Sequence, residues 1–436
     1  MACRSLLFAF SRGEAARLSA AKPRVRTIFI TGYLRLLWYD NRVTPMRILL
    51  VHNRYRIAGG EDTVLYAEKS MLEERGHDVA LLEGDNMEIS GALGQLKTGA
   101  GAIYSRHGKR RVAVELARFH PDVMHVHNFF PLFSPSVYSA AHEAGVAVVQ
   151  TLHNYRLVCP NALFFRNGHV CEDCLGSAFP LPGVIHACYR GSRLATAPVA
   201  AMLAVHRALG TWRDGVDAYI ALTEFSRQKL AAGGLPADRT YVKPNFVHPT
   251  PTVGNGEGGY ALFVGRLSEE KGISTLLAAW KQLAAEIPLK IVGDGPLADT
   301  VKSALKQTSS IEWLGQVSRE QVATLMQRAS LLIFPSIWYE GFPMSIVEAF
   351  AVGLPVVASN LGSMSTLVRH QETGLHFRAA DVDDLVAKVR WARSYPVEIQ
   401  EMRRAVRREF EAKYTADRNH DMLLNIYQTA MQRARA

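Results

Sequence analysis

Cysteine is scarce in this chain of 436 residues, and it is unevenly placed. Of the five cysteines, Cys3 lies near the start and the other four lie between Cys159 and Cys188. This distribution excludes the disulfide framework of a small secreted domain. Long apolar runs are lacking as well. The stretch 27–39 is too short to span a membrane and contains Arg35. The sequence therefore predicts no membrane-spanning helix.

Strong charge of one sign is also lacking outside the first 45 residues. Those residues hold eight Lys or Arg and two Asp or Glu, a net +6 of the total +10. The remainder holds 42 basic and 38 acidic residues, a net +4. A surplus this small predicts no nucleic-acid partner, but it suits an anionic substrate or a loose membrane contact.

Residues 1–45 form a leader of doubtful status. Their Arg-rich, acid-poor composition is typical of a transit peptide. The alternative is that the protein starts at Met46, because the apolar run that follows it opens a domain directly. We favour the start at Met46 and leave the leader out of the fold prediction.

Apolar runs and helical patterns alternate along the rest of the chain, which predicts two α/β domains with parallel sheets. A stretch rich in Pro, Gly, Thr and Asn at 247–259 indicates a linker between them. We predict an N-terminal Rossmann-like domain over 46–250, interrupted by a Cys-rich insertion at 155–191. A second such domain follows at 251–412, and a C-terminal helix at 413–436 packs back on the first domain.

The most informative stretch is 334–355, which predicts a strand, a loop and a helix. Glu340 lies in the loop, and Pro343 suits the first position of the helix. The free N–H groups of Met344 and Ser345 would offer an anion site, with Glu348 one turn further. The alternative for each carboxylate is a capping or solvated glutamate.

A second group of charges follows the first strand of the second domain. Arg266 and Lys271 share one loop there, and their charges suit a diphosphate. The alternative is a solvated charge cluster balanced by the neighbouring glutamates. In the first domain, Gly59 and Gly60 lie at a strand-to-helix turn, where backbone amides can approach a phosphate closely.

These stretches resemble family 4 glycosyltransferases with the GT-B fold. The resemblance rests on Glu340 and Glu348 as an E-x7-E motif and on residues 265–272 as G-R-x4-K-G, and it covers nearly all of the chain from Met46. It implies two Rossmann-like domains facing each other across a cleft. It also implies that His127, the second His of an H-x-H, contacts the donor sugar.

The resemblance further implies roles for individual residues. The residues at the reacting centre are His127, Arg266, Lys271 and Glu340. The donor-binding residues are Gly59, Gly60, Gly293, Val317, Gly341, Phe342, Met344, Ser345 and Glu348. Catalysis would need no cofactor and no metal, because the cations and the helix end meet the charge of the leaving diphosphate.

The expected activity is retaining transfer from a nucleoside diphosphate sugar to a sugar or lipid-linked acceptor, in bacterial surface polysaccharide or glycolipid synthesis. Alternatives are a nucleotide-sugar epimerase on the same fold and a non-catalytic subunit that binds the nucleotide sugar. The enzyme is expected in the cytoplasm. A basic segment at 104–111 suits peripheral contact with the inner membrane face, although a solvated helix face would look the same.

The four clustered cysteines predict a structural zinc site. Cys171 and Cys174 have the C-x2-C spacing of a zinc knuckle, and Cys159 and Cys188 would complete a closed shell of four thiolates. A nucleotide-sugar enzyme works in a reducing compartment, where thiolates bind metal more often than they form disulfides. The alternative is four separate thiols.

The acidic motif at 381–384 resembles the D-x-D that holds a metal-bound nucleotide in another glycosyltransferase fold. Here it precedes an amphipathic helical pattern, so we predict that Asp381 caps a helix.

Overall fold

The structure is a computed structural model, and it describes residues 44–54, 59–86, 99 and 101–436. The predicted leader, apart from its last two residues, lies outside the described residues. So do residues 55–58 of the first glycine-containing loop and most of 87–100.

The described part of the chain contains two six-stranded parallel sheets. The first has the order β2-β1-β3-β4-β7-β8, and the second has the order β11-β10-β9-β12-β13-β14. The strands of the first sheet are β1 (Arg47–Arg54), β2 (Asp78–Asp85), β3 (Val123–Asn128), β4 (Ala147–Leu152), β7 (Ala218–Ala221) and β8 (Thr240–Val242). Those of the second are β9 (Ala261–Val264), β10 (Leu289–Val292), β11 (Ile311–Gly315), β12 (Leu331–Phe334), β13 (Val356–Ser359) and β14 (Gly374–Phe377). A two-stranded hairpin, β5 (Phe165–Arg166) and β6 (His169–Val170), lies apart from both sheets.

Helices connect the strands. In the first half of the chain they are α1 (Gly60–Glu74), α2 (Arg106–Phe119), α3 (Ser136–Glu143), α4 (Leu181–Ile185), α5 (Arg193–Ala208), α6 (Thr211–Asp214) and α7 (Glu224–Ala232). In the second half they are α8 (Ile273–Leu283), α9 (Ala298–Leu305), α10 (Arg319–Arg328), α11 (Met344–Ala351), α12 (Ser363–Leu367), α13 (Val382–Ser394), α14 (Pro396–Lys413) and α15 (Ala416–Ala434).

The central strands are buried on both faces, which explains why their sequences are continuously apolar. Every residue of β3, β4, β7, β12 and β13 is buried. Each sheet has two apolar clusters built from alternate strand residues, as helices covering both faces require. The predicted α/β class is therefore confirmed.

The last two helices divide between the sheets. Val406 and Phe410 of α14 pack into the core of the second sheet. Leu423 and Tyr427 of α15 pack against the first sheet, so the chain returns to the domain where it began. Thr415 caps α15 by accepting from the Arg418 N–H.

Several predicted boundaries were wrong. Pro343 is the N-cap of α11, and its first helical residue is Met344, because the backbone of Pro343 is extended. The helical pattern over 86–118 predicts one stretch of helix, but residues 102–105 are not helical, and α2 begins after them at Arg106. Strands β8 and β14 have only three or four residues each, too few to show a period in the sequence.

Among the helices that the structure describes, none combines the length and the apolar character needed to cross a membrane.

Candidate active site

The order of the second sheet places a crevice between β9 and β12. The chain winds to one side through β10 and β11 and to the other through β13 and β14. Ligands of such sheets bind at this switch point, beyond the carboxyl ends of the strands. The loops that leave β9 and β12 carry Arg266, Lys271 and Glu340, so the three predicted charges meet at the crevice.

Lys271 and Glu340 form an ion pair there, with 2.7 Å between Nζ and Oε1. Glu340 is buried, and the Ser336 hydroxyl donates to the same oxygen at 2.6 Å. Among the described residues, none donates to Oε2 of Glu340. One carboxylate oxygen is therefore held by the protein, and the other remains available to a ligand hydroxyl.

Backbone contacts fix the loops around this pair. The Ile337 N–H donates to the Glu270 carbonyl at 2.9 Å, which joins the loop after β12 to the loop after β9. Gly293 has φ of +131°, and a Cβ atom there would lie 1.9 Å from the Gly265 carbonyl oxygen. Only glycine fits this position, so the turn after β10 packs directly under the Arg266 loop.

Arg266 itself is exposed, and within the described ranges its guanidinium makes no ion pair. A free guanidinium beside a lysine at a strand end suits a bidentate contact with an oxyanion.

The N-terminus of α11 faces the crevice from the same side. Its first turn holds no acidic residue, and its N-cap Pro343 supplies no side-chain hydrogen bond. The N–H groups of Met344 and Ser345 find no backbone acceptor in the described chain. Unpaired N–H groups at the positive end of a helix form an anion site.

The first domain closes over this helix end. A Cβ atom at Gly341 would lie 2.5 Å from the carbonyl oxygen of His153, so the two domains touch at backbone distance. A Cβ atom at Gly60 would lie 3.8 Å from the Met344 side chain. The N-termini of α1 and α11 therefore approach each other across the crevice.

A cavity of about 520 Å³ opens beside these helix ends and is lined by both domains. Met344 and Glu348 of α11 line it, together with Arg319 of α10 and Thr63 of α1. Burial raises the pKa of Glu348 above its ordinary value, and the charge of Arg319 opposes that shift. The guanidinium of Arg319 also bonds the Thr63 hydroxyl across the crevice.

Two further predicted residues lie at the edge of the second-sheet core. Val317 and Phe342 are half-buried and pack against it, and the ring of Phe342 lies 6.3 Å from the ring of Tyr414. The Gly293 N–H donates to the Gly315 carbonyl at 2.8 Å, which places the loop of Val317 beside the turn of Gly293.

The first-domain side of the crevice rests on a buried charged network. Glu68 of α1 and Lys243 are each about 1% exposed, and Lys243 Nζ lies 3.0 Å from Glu68 Oε2. His127 Nε2 lies 3.1 Å from Glu68 Oε1, and His127 Nδ1 lies 3.0 Å from Nε2 of His153. His125 bonds the Tyr427 hydroxyl at 2.8 Å and so ties the network to α15.

The surroundings in this network shift the pKa values of Glu68 and His127. Burial alone would raise the pKa of Glu68, but the Lys243 ammonium and the two histidines hold it well below its ordinary range. Burial, with the nearby His125, lowers the pKa of His127 to about 3. His127 is therefore neutral at pH 7, and its buried side chain is held between Glu68 and His153.

Comparison with known proteins identifies the fold and the family. A family model described as Glycosyltransferase Family 4 matches residues 58–250, and a second, described as Glycosyl transferases group 1, matches residues 251–409. The two matches adjoin between residues 250 and 251 and together cover residues 58–409. This chain belongs to the family 4 (group 1) glycosyltransferases.

Curated relatives of this glycosyltransferase match only part of it. An uncharacterised glycosyltransferase of Methanocaldococcus jannaschii is 32% identical over 35% of this chain and 43% of that protein. A glycogen synthase of Mycobacterium tuberculosis is 31% identical over 39% of this chain and 41% of that protein. The matched region thus spans less than half the length of these relatives.

A solved structure confirms the fold over a longer stretch. The crystal structure of Anabaena HepE in complex with UDP superimposes with a TM-score of 0.63 at 17% identity, over 88% of this chain and all of that one. The predicted GT-B fold is therefore confirmed.

The glycosyltransferase gathers its four clustered cysteines around one small cavity. All four are free thiols, and Cys159 is buried. Within the described ranges, the group whose ligand atoms all lie within 4.8 Å of one another is Glu68, His125 and His127, and no three cysteines meet that spacing. The structure thus brings the cysteines together without closing the predicted zinc shell, which stays a prediction.

Two of the basic side chains in segment 104–111 are bonded to other parts of the fold. Lys109 pairs with Glu143 at 2.5 Å, and the Arg111 guanidinium donates to the Glu83 carbonyl at 2.6 Å. Arg110 is exposed.

Asp381 accepts from the Asp384 N–H at 2.9 Å at the start of α13, so the predicted cap is confirmed.

The sequence prediction missed Arg319, Glu68 and Lys243. Ser318 and Gln321 form a capping box that marks the start of α10, but no local signal shows that Arg319 reaches across the crevice. Glu68 and Lys243 are 175 residues apart, and only the tertiary structure pairs them.

Proposed function

We propose that this glycosyltransferase moves a sugar from a nucleoside diphosphate sugar to a sugar or lipid-linked acceptor, with retention of the anomeric configuration. The observation that carries the proposal is the convergence of Arg266, Lys271 and the N-terminus of α11 at the switch point of the second sheet. Three positive groups around one crevice suit a diphosphate.

The chemistry needs this arrangement because negative charge grows on the diphosphate as the glycosidic bond breaks. A preorganised donor aimed at developing charge typically lowers the barrier by about 3–4 kcal/mol. Arg266 is placed as a bidentate fork and Lys271 as a point charge. The N–H groups of Met344 and Ser345 would meet the same diphosphate. The proposed mechanism therefore requires no catalytic metal.

The remaining residues position the donor in this proposal. Glu348 accepts from the ribose hydroxyls, and its place in the 520 Å³ cavity beside α11 supports that role. Glu340 binds sugar hydroxyls through its second oxygen, and Gly341 and Phe342 hold its loop in place. Gly293 and Val317 lie beside the nucleobase.

The first domain contributes from the opposite side. Gly59 and Gly60 approach the distal phosphate, and His127 contacts the far edge of the sugar. Because His127 is buried in the described arrangement, its contact requires a change in the surrounding network when the donor binds.

The acceptor would enter over the first domain, and the exposed Arg110 would favour a negatively charged surface on the cytoplasmic side of the membrane. The product would serve bacterial surface polysaccharide or glycolipid synthesis.

A donor-panel assay tests this function. The purified full chain is incubated with UDP-, GDP-, ADP- and dTDP-sugars and simple sugar acceptors, and released nucleoside diphosphate is measured. UDP-sugars come first, because the solved neighbour HepE binds UDP. We expect nucleoside diphosphate to be released from donors that carry one particular base. NMR of the product formed from an α-linked donor should show an α-linkage. Conversion of the nucleotide sugar without release of the diphosphate would point to an epimerase and would contradict the proposal.

A further inference from the structure

The segment 155–191 has little regular structure for its length. It contains only the two-residue strands β5 and β6 and the short helix α4. A long excursion of this kind between a buried strand and a helix needs a local device to hold it. Its four cysteines come from three separate parts of it: one before the hairpin, two after it, and one after α4. They are Cys159, Cys171, Cys174 and Cys188.

These cysteines surround one cavity of only about 10 Å³, too small for more than a single ion or water. None of them forms a disulfide.

A largely buried cation completes the surroundings. Arg166 of β5 lines the same cavity as the four cysteines. Its Nη2 atom binds Asp173 at 2.8 Å, but its Nε atom is buried and, among the described residues, has no hydrogen-bond partner. A buried guanidinium donor beside four sulfurs fits a cluster that carries negative charge when loaded.

We propose that Cys159, Cys171, Cys174 and Cys188 bind one Zn²⁺ ion as thiolates in a closed structural site. Loading releases four protons: Zn²⁺ and four thiols give a tetrathiolate complex of charge −2, with no change of oxidation state. Zinc–sulfur bonds are about 2.3 Å long. Because no three of the sulfurs lie within 4.8 Å of one another in the described chain, loading must rotate their side chains inward.

The site would brace the crevice, although its existence does not depend on the proposed function. Glu172 lies inside the C-x2-C turn and pairs with Lys229 at 2.7 Å, and Lys229 Nζ lies 5.4 Å from the centre of the Tyr339 ring. The ring of Phe164 packs edge-on against Tyr339 at 6.3 Å. Tyr339 immediately precedes Glu340, so the cysteine segment supports the loop that carries this carboxylate.

Metal analysis of the full chain, purified without chelator, tests the site. We expect about one equivalent of zinc per chain, released as an organomercurial titrates the four clustered thiols in the native protein. Cys3→Ser serves as the matched control and should keep its zinc, whereas Cys171→Ser and Cys174→Ser should lose most of it. Since those variants could unfold, the titration of the unaltered chain decides. Less than about half an equivalent of zinc, with all four thiols freely reactive or paired as disulfides, would overturn the proposal.

Hydrogen exchange tests the bracing. Removal of the metal should speed exchange over 165–188 and over 338–341, and added Zn²⁺ should restore protection in both stretches. Unchanged exchange over 338–341 after the metal has been removed would show that the site does not support the Glu340 loop.

Discussion

The two sides of the crevice carry similar residues in opposite states. On the first-domain side, Glu68 and Lys243 are buried and bonded to each other and to histidines. On the second-domain side, Arg266 is exposed and Glu348 faces a cavity. Glu68 and Lys243 on the first side are thus paired inside the fold, whereas Arg266 and Glu348 on the second side remain available to a ligand. Substitutions should therefore affect mainly stability on one side and mainly catalysis on the other.

The two facing helix ends differ in the same way. The first turn of α1 holds Glu61 and Asp62, and the Asp62 carboxylate accepts from the Gly59 N–H at 2.8 Å. The first turn of α11 has no acidic residue. Because acidic side chains offset the positive end of a helix, the stronger anion site is expected at α11.

The largest expected effect is on the first side. Glu68→Ala leaves Lys243 buried without a counterion, which typically destabilises a fold by about 3–5 kcal/mol. Urea unfolding of the purified variant measures this loss. Glu73→Ala is the control, because its exposed pair with Lys69 should contribute less than about 0.5 kcal/mol. Equal stability of the two variants would contradict the contrast between the two sides.

The pH dependence of stability checks the same residue. Folding lowers the pKa of Glu68, so its contribution is complete above the ordinary value of 4.5 and is lost as the pH falls through the folded pKa. The stability difference between the unaltered chain and Glu68→Ala should shrink in strong acid.

On the second side, Lys271→Ala should lower kcat by about a hundredfold to a thousandfold, because it removes a cation that meets charge developing in the transition state. Steady-state assays with the accepted donor measure it, and Arg266→Ala should behave alike. Lys290→Ala, which removes an exposed pair with Glu312, is the control and should keep full turnover. Turnover within twofold of the unaltered enzyme in Lys271→Ala would remove the diphosphate role.

A smaller effect is expected at Glu348. Glu348→Gln should weaken donor binding by about tenfold with little change in kcat, because a ribose contact is made in the ground and transition states alike. Burial raises the pKa of Glu348, so donor affinity of the unaltered enzyme should fall as the pH drops, beginning above 4.5. The Gln variant should lack that dependence, and calorimetry from pH 5 to 8 measures both. Unaltered affinity in Glu348→Gln would remove the ribose assignment.

The smallest effect concerns the membrane. Replacing Lys109, Arg110 and Arg111 by Gln should reduce partitioning to anionic vesicles by about fivefold, roughly 1 kcal/mol, because Lys109 and Arg111 are already bonded within the fold and Arg110 is the exposed cation of the three. Arg118→Gln, further along α2, provides a matched control. Equal partitioning of the triple variant and the unaltered chain would remove the membrane contact.

The sequence predicted what depends on local pattern. Buried strands, the Asp381 cap and the two charged motifs all leave a signal within a few residues. It could not show that Lys271 and Glu340 are already paired, since they are 69 residues apart.

The network around Glu68 escaped prediction for the same physical reason. Its members come from α1, β3, the stretch after β8 and α15, and each looks like an ordinary polar residue in its own segment. A buried charge is recognised by its partners, and those partners are brought together only by the fold.

The most direct test of the account is calorimetric titration of the full chain with UDP, GDP, ADP and dTDP in the presence of EDTA. We predict that one diphosphate binds at a single site, with the same affinity with and without EDTA, and at least tenfold more weakly to Arg266→Ala. Binding that strictly requires added Mg²⁺ or Mn²⁺, or full affinity in Arg266→Ala, would contradict the claim that the second side of the crevice holds the diphosphate with its own charges.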